Sequence, residues 1–408
     1  MGVRSTVLGI VLAAIAAASA SAAVSRNPVA LFVTPDGFTD VSLDAIGTAA
    51  GFIVAWDRVN GSDATTQVLA RRFSARGAPA GPVIVIDPAS ANSSARPKFL
   101  DVGGGRLLVT WLHEDKIQGA FLEPGANSIG ASKIIGVAEF RASVHFVAPV
   151  TSGYALISRE ANGPKKENTV VTFLDPNLNL VGKSRVIEKD KPTNESGFII
   201  PSVEQNIVAH DGGAVAIYRG ADDQTHGVPF SPRRKPGEDF TVNTTPGYRL
   251  TPFELFGTSV QTLALPNGGY VVAWAARRAA GDDQQFIFDV RARVFDARGR
   301  PTGDDFRVNP KAKDTQFNQS LALTNGGFVV GYYGGDPSGT DARTFVRFFS
   351  QVGEPQSGEI VTERFGEGQA LPLPNAFAPL ARLVDGSFVS VFGSGGTIYA
   401  DGVVDASN

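Results

Sequence analysis

The sequence predicts an all-β fold: a seven-bladed β-propeller of four-stranded antiparallel blades, with the last blade closed by the N-terminal strand. Three observations predict it. One sequence pattern is written seven times, its anchor residues 47 to 60 positions apart. The seventh copy stops after its third strand-like run. A run that could serve as the missing fourth strand, Val29–Thr34, precedes the first copy. Repetition at this period marks stacked units that cannot bury an apolar face alone.

The clearest copies are SVQTLALPNGGYVVAWAARRAAGDDQQFIFDVRARVFDARGRPTGDDFRVN (259–309) and FNQSLALTNGGFVVGYYGGDPSGTDARTFVRFFSQVGEPQSGEIVTE (317–363). The anchors, each closing the second apolar run, are Trp56, Trp111, Ser158, Tyr218, Trp274, Tyr332 and Phe392. A glycine sits five residues before five of them (Gly51, Gly153, Gly213, Gly269, Gly327) and six before the other two (Gly105, Gly386).

Each copy resolves into strands A to D. Strand A is a short run such as Gln261–Leu265 or Gln319–Leu323. Asn-Gly-Gly or Asp-Gly follows, the chemistry of a tight hairpin, because positive φ suits those residues. Strand B is continuously apolar (FIVAW, LLVTW, AVAIY, YVVAW, FVVGY, FVSVF), which predicts burial on both faces. Strand C ends at Phe73, Phe121, Phe173, Phe230, Phe295, Phe349 and Val404, and a polar turn leads to Gly81, Gly130, Gly182, Gly237, Gly303 and Gly358. Strand D follows, as in DFTVN and DFRVN. Val29–Thr34 is expected beside Ile398–Val404, so that no blade edge stays open. A linear array of β-sandwiches fits less well, since each would need about seven strands per hundred residues.

The chain has 408 residues with 46 Gly, 27 Phe and no cysteine, which excludes disulfides and thiolate metal sites. A net charge of −3 argues against nucleic-acid partners and anionic membranes. Residues 1–23 read as a secretory signal peptide: Arg4, an apolar run Val7–Ala18, then small residues to Ala23. Residues 24–408 are then a single propeller domain of a secreted or extracellular protein, or a periplasmic one, with no membrane span expected. Five Asn-x-Ser/Thr sites (Asn60, Asn92, Asn194, Asn243, Asn318) are glycan acceptors if the host glycosylates.

Motif chemistry is sparse. The four histidines (His113, His145, His210, His226) show no metal-ligand spacing, and no nucleophile elbow or phosphate loop occurs. The patterned polar feature is the B–C loops, where Asp57, Arg58, Asp63, His113, Arg159, Arg219, Asp222, Arg277 and Asp282 fall. Strand alternation sends these loops and the D–A loops to one face. That face would meet a polar or carboxylated ligand, such as a glycan or surface polymer, through Arg58, Arg219, Arg277 and Asp282. The first residues of strand A (Arg96, Arg141, Asn318, Gln319) would meet it at the channel mouth. The plain alternative is a solvated face that keeps the protein soluble. The loop carboxylates could hold calcium, and no other cofactor is implied.

The repeat L-x-N-G-G-[FY]-V-V-[AG]-[WY] with [RV]-x-R-[VF]-F-[DS] and G-x-P-x-G-[DE]-x-x-V resembles one found in large secreted bacterial surface and calcium-associated proteins. Blades one, five and six carry it best. The resemblance implies the propeller fold and carries over no catalytic residue. A binding or adhesion module is the reading that follows, with a polysaccharide hydrolase or lyase at the channel mouth, or a structural surface protein, as alternatives.

Overall fold

The computed structural model describes residues 29–91, 96–137, 145–161, 166–192, 205–220, 222, 224–232, 235–245, 248–250, 260–278, 288–310, 315–335, 342–365, 380–394 and 397–403. They form seven antiparallel sheets arranged in a ring, with no helix. The predicted leader lies outside the described residues. Innermost A strands of neighbouring blades touch all the way round, closing the propeller.

Blade one shows the plan at its longest, with strands Phe38–Thr48, Gly51–Asn60, Thr65–Ser74 and Pro79–Ala91 hydrogen-bonded in that order. Blade seven supplies Ala381–Arg382, Phe388–Ser394 and Thr397–Val403. Its fourth strand is Val29–Val33, which pairs antiparallel with Thr397–Val403 through Val29↔Ala400 and Val33↔Thr397. The expected closure is therefore present.

Strand B explains why one continuous apolar run recurs in every copy. Its side chains alternate between two different interfaces. In blade one Phe52, Val54 and Trp56 pack with blade seven, while Ile53 and Ala55 pack with blade two. In blade five Tyr270, Val272, Trp274 and Ala276 face blade four, and Val271 and Ala273 face blade six. The apolar core of the described residues divides into seven clusters, each shared by two neighbouring blades. Trp56, Trp111 and Trp274 are each 1% exposed, so these anchors are core.

The glycine opening strand B has a steric cause. A Cβ at Gly51, Gly153, Gly213, Gly269 or Gly327 would stand 1.9–2.2 Å from the carbonyl oxygen closing strand C. Only glycine allows that approach.

The repeated arginine of strand C is structural too. Nε of Arg71, Arg293 and Arg347 donates to the Gly81, Gly303 and Ser357 carbonyls at 3.1, 3.0 and 3.1 Å. Nη1 of Arg293 and Arg347 reaches back to the Val242 and Val308 carbonyls of the preceding blade, at 2.9 and 2.6 Å. Each guanidinium also lies over the phenylalanine two positions on.

Strand D differs from expectation in blades four and five, where DFTVN and DFRVN yield only Phe240–Thr241 and Phe306–Arg307. The asparagine takes over the ladder. Asn243 Oδ1 accepts from the Thr225 amide at 2.7 Å, and Asn309 Oδ1 from the Val290 amide at 2.9 Å. Asn243 is thereby buried at 6% exposure with its side chain engaged, a poor glycan acceptor. In blade five the inner strand is split, with Tyr248–Leu250 and Gln261–Ala264 both pairing with Tyr270–Arg278.

Candidate ligand-binding face

At the end carrying the A–B and C–D turns, several polar side chains cap their own backbone. Asp296 Oδ1 accepts from the Arg298 and Arg300 amides, and Asp175 Oδ1 from those of Asn177 and Asn179. Asp101, Asn267 and Asp385 do the same in A–B turns. At the opposite end, the B–C and D–A end, Asn60, Asp63 and Asp222 cap amides in the same way, and other polar groups pair across strands and blades.

Strand B runs further toward this end than its sequence suggests. Asp57 and Arg58 lie within the strand, not in a loop, because pairing with Phe38–Thr48 continues to Asn60↔Phe38. Alternation then sends the two side chains apart. Arg58 forms a two-pronged ion pair with Asp40, Nε–Oδ1 at 2.8 Å and Nη2–Oδ2 at 2.9 Å, and Thr34 donates to Asp40 as well. The Arg58 guanidinium also lies 5.9 Å from the ring centres of Phe38 and Trp56. Arg219 likewise ends a strand and is 9% exposed. Arg277 lies in strand B of blade five, between Arg249 and Phe288. Arg141 and Asp282 lie outside the described residues.

The inner strands change register at one level, that of the aromatic anchor. In blade one Ser42 and Leu43 bulge opposite Trp56, and in blade six Asn318 and Gln319 bulge opposite Tyr332. Two residues against one is a β-bulge, a device common next to functional sites. Asn318 and Gln319 thus lie inside strand Thr315–Leu323 at its irregularity, not at its start. Arg96 stands just before strand A of blade two, Lys98–Asp101.

Blades one to three meet in a buried polar corner at this level. The Arg96 amide donates to Asp57 Oδ2 at 3.1 Å, and the Phe99 amide donates to Asp44 Oδ2 at 2.6 Å. His145 Nε2 is 2.8 Å from Thr110 Oγ1. Asp44, Asp57 and His145 are 4%, 4% and 0% exposed. Burial pushes the Asp57 carboxyl up to about 7 against the opposing pull of the Arg96 amide and the Ser42 hydroxyl, and it raises Asp44 as well. Burial, with Lys98 and Arg96 nearby, pushes His145 down to about 3. Arg96 is lowered by burial to about 10.

Two further assemblies lie nearer solvent. His113 Nδ1 is 2.7 Å from Asp87 Oδ2, which bridges blades two and one. In blade four Tyr218 donates to Asp239 Oδ2 at 2.6 Å, while His226 contacts Asp239 Oδ1 and Asp222 Oδ1, each at 2.9 Å. The Tyr218 and His226 rings stack with centres 5.6 Å apart. Burial would lower His226, but the hydrogen bonds to Asp222 and Asp239 outweigh it and hold the imidazole above its usual range. Tyr218 is raised by burial and by Asp239.

Sequence reasoning missed Asp44, Lys98, Asp87 and Asp239 as members of these groupings. A charged residue inside an inner or outer strand was the available signal. Among the described residues, no group of three or more His, Asp or Glu side chains is arranged to hold a metal ion, and no helix is long and apolar enough to cross a membrane.

No protein-family model matches the chain, and no curated protein matches it. Solved structures do. An ulvan lyase of a polysaccharide lyase family is similar at a TM-score of 0.51 and 9% identity, covering 92% of this chain and 95% of that one. A lectin from Burkholderia pseudomallei is similar at 0.49 and 12% identity, over 89% and 98%. The Aleuria aurantia lectin, in complex with alpha-methyl-L-fucoside, is similar at 0.44 and 10% identity, over 82% and 97%. At 9% identity the likeness to the ulvan lyase concerns the fold alone.

Proposed function

We propose that this propeller is a secreted glycan-binding module that takes its ligand on the B–C and D–A face. The blade-four assembly carries the reading. Tyr218 and His226 present a stacked ring pair beside Asp222 and Asp239, whose side chains are 57% and 45% exposed. Acceptor oxygens beside a ring edge, on a rigid sheet, are what a hydroxyl-rich ligand needs. The leader-like N-terminus supports export.

The test is a glycan array probed with residues 24–408, with and without calcium, followed by two double variants. Arg219→Ala with Arg277→Ala should abolish binding to any glycan found, and Arg76→Ala with Arg298→Ala should leave it intact. Loss only in the second pair would place the ligand on the other face. An array with no bound glycan would refute the reading itself.

A further inference from the structure

We propose that the corner formed by Asp57, Arg96, Lys98 and His145 binds the carboxylate of an acidic sugar, and that one proton enters with the ligand and settles on Asp57. The inference rests on the glycan reading above and names its ligand class.

Two atoms in the corner lack partners. Beyond the pull of the Ser42 hydroxyl on the Asp57 carboxylate, Asp57 Oδ1 and His145 Nδ1 have no hydrogen bond of normal length, and both side chains are at least nine-tenths buried. Buried polar atoms left unsatisfied in a native fold ask for a missing partner. Two fixed cations flank both atoms, since Arg96 and Lys98 lie within charge–charge range of Asp57 and of His145. Lys98 Nζ is held over the Phe146 ring, 5.5 Å from its centre. Asp44 is the other titratable group facing the corner, and its Oδ2 is tied to the Phe99 amide. Arg96 and Lys98 keep part of their surface exposed, whereas Asp57 and His145 are closed to solvent.

The backbone is strained at the same place. Among the described residues, six non-glycine residues have positive φ. Ala64, Glu114, Leu178 and Asp211 lie in turns between adjacent strands. Ser42 (φ 50°) and Arg96 (φ 41°) do not, and both flank Asp57. Positive φ at a non-glycine residue costs energy and persists only where the surroundings hold it in place.

The chemistry follows from charge. Arg96 and Lys98 attract an anion, but a second carboxylate cannot sit beside ionised Asp57 without repulsion. Taking one proton from solvent forms an O–H bond at Asp57 Oδ1. No bond in the ligand breaks. The new O–H then donates to the ligand carboxylate, a short charge-assisted hydrogen bond that satisfies the orphaned oxygen. His145, kept neutral, offers a second polar contact through Nδ1.

Calorimetry on residues 24–408 tests this with tetragalacturonate against neutral cellotetraose, from pH 5.5 to 8, in two buffers of different ionisation enthalpy. The acidic sugar should bind more tightly, with proton uptake approaching one at about pH 8 and vanishing toward about pH 5.5, and an affinity gain of up to roughly tenfold per pH unit as pH falls from 8 through 7. Asp57→Asn should abolish the proton uptake and flatten the pH dependence. Lys98→Gln should weaken tetragalacturonate binding by roughly tenfold and leave the neutral sugar unchanged. Melting curves confirm that each variant is folded, and either variant suffices alone. Equal affinity for the two sugars without proton uptake, or an unchanged pH slope in Asp57→Asn, overturns the proposal and leaves the glycan reading standing. Binding of neither sugar, nor of any arrayed glycan, defeats both.

Discussion

Asp305 Oδ1 accepts hydrogen bonds from both the amide and the hydroxyl of Thr245, each at 2.8 Å, across the boundary between blades four and five. Thr244 donates to the same oxygen in the same two ways, at 2.9 and 2.8 Å. Oδ2 meets Arg291 Nε at 2.5 Å. One carboxylate thus locks the end of one blade to the sheet of the next.

Removing that carboxylate should be costly. Asp305→Ala leaves Arg291 buried without its counter-charge, which costs about 3–5 kcal/mol for a buried pair broken on one side. Urea unfolding measures it, and a loss below about 1 kcal/mol would mean the lock is incidental. Although burial alone would raise Asp305, the bonds from Thr244, Arg291 and Thr245 hold it below the ordinary range. Its folded value lies below its unfolded one, so its contribution is full above the usual aspartate range and is lost as pH falls through the folded value. Asp305→Asn should flatten that acid limb.

Asp57 carries the opposite sign. Its folded value, about 7, lies above the ordinary 3.8, so the folded state holds the proton more tightly. Stability therefore falls as pH rises from about 4 to about 7 and stays reduced above that. At about 1.4 kcal/mol per unit, the penalty amounts to roughly 4 kcal/mol at most. Asp57→Asn should melt higher than the parent at pH 8, and the difference should vanish below pH 4. A difference that persists in acid would trace to packing.

Trp274→Ala should cost roughly 3–5 kcal/mol, as large buried aromatics do. The residue packs in the cluster shared by blades four and five. A variant that melts like the parent but loses a ligand would move this residue from core to site.

Deleting residues 24–36 should lower the melting temperature of the whole ring and promote association, because Thr397–Val403 loses its partner strand. It also removes Phe32, whose ring lies 4.3 Å from that of Trp56, and Leu31 from the core shared by blades seven and one. Light scattering beside calorimetry separates the two effects.

The blades were legible because their cause is local. An alternating strand and a glycine under a carbonyl repeat from copy to copy, so the copies reinforce one pattern. The candidate site was less legible. Arg96 stands just before an inner strand, but Asn318 and Gln319, expected at a strand start, lie inside one at its irregularity. That Asp57 lies inside a strand, or that Asp44, Lys98 and His145 gather around it, depends on three blades meeting, and no spacing along the chain encodes that. Arg58 shows the same gap: its partner Asp40 was invisible until the bulge at Ser42 fixed which way the strand faces.

The pairing of Ala30 with Tyr399 also sets an order of events. These are nearly the first and the last residues of the ring. Contacts so distant in sequence form late, because the entropy of closing the intervening loop must be met before the contact returns anything. During synthesis Val29–Val33 emerges before any of its neighbours in blade seven exist. The ring can therefore close only once Thr397–Val403 has been made.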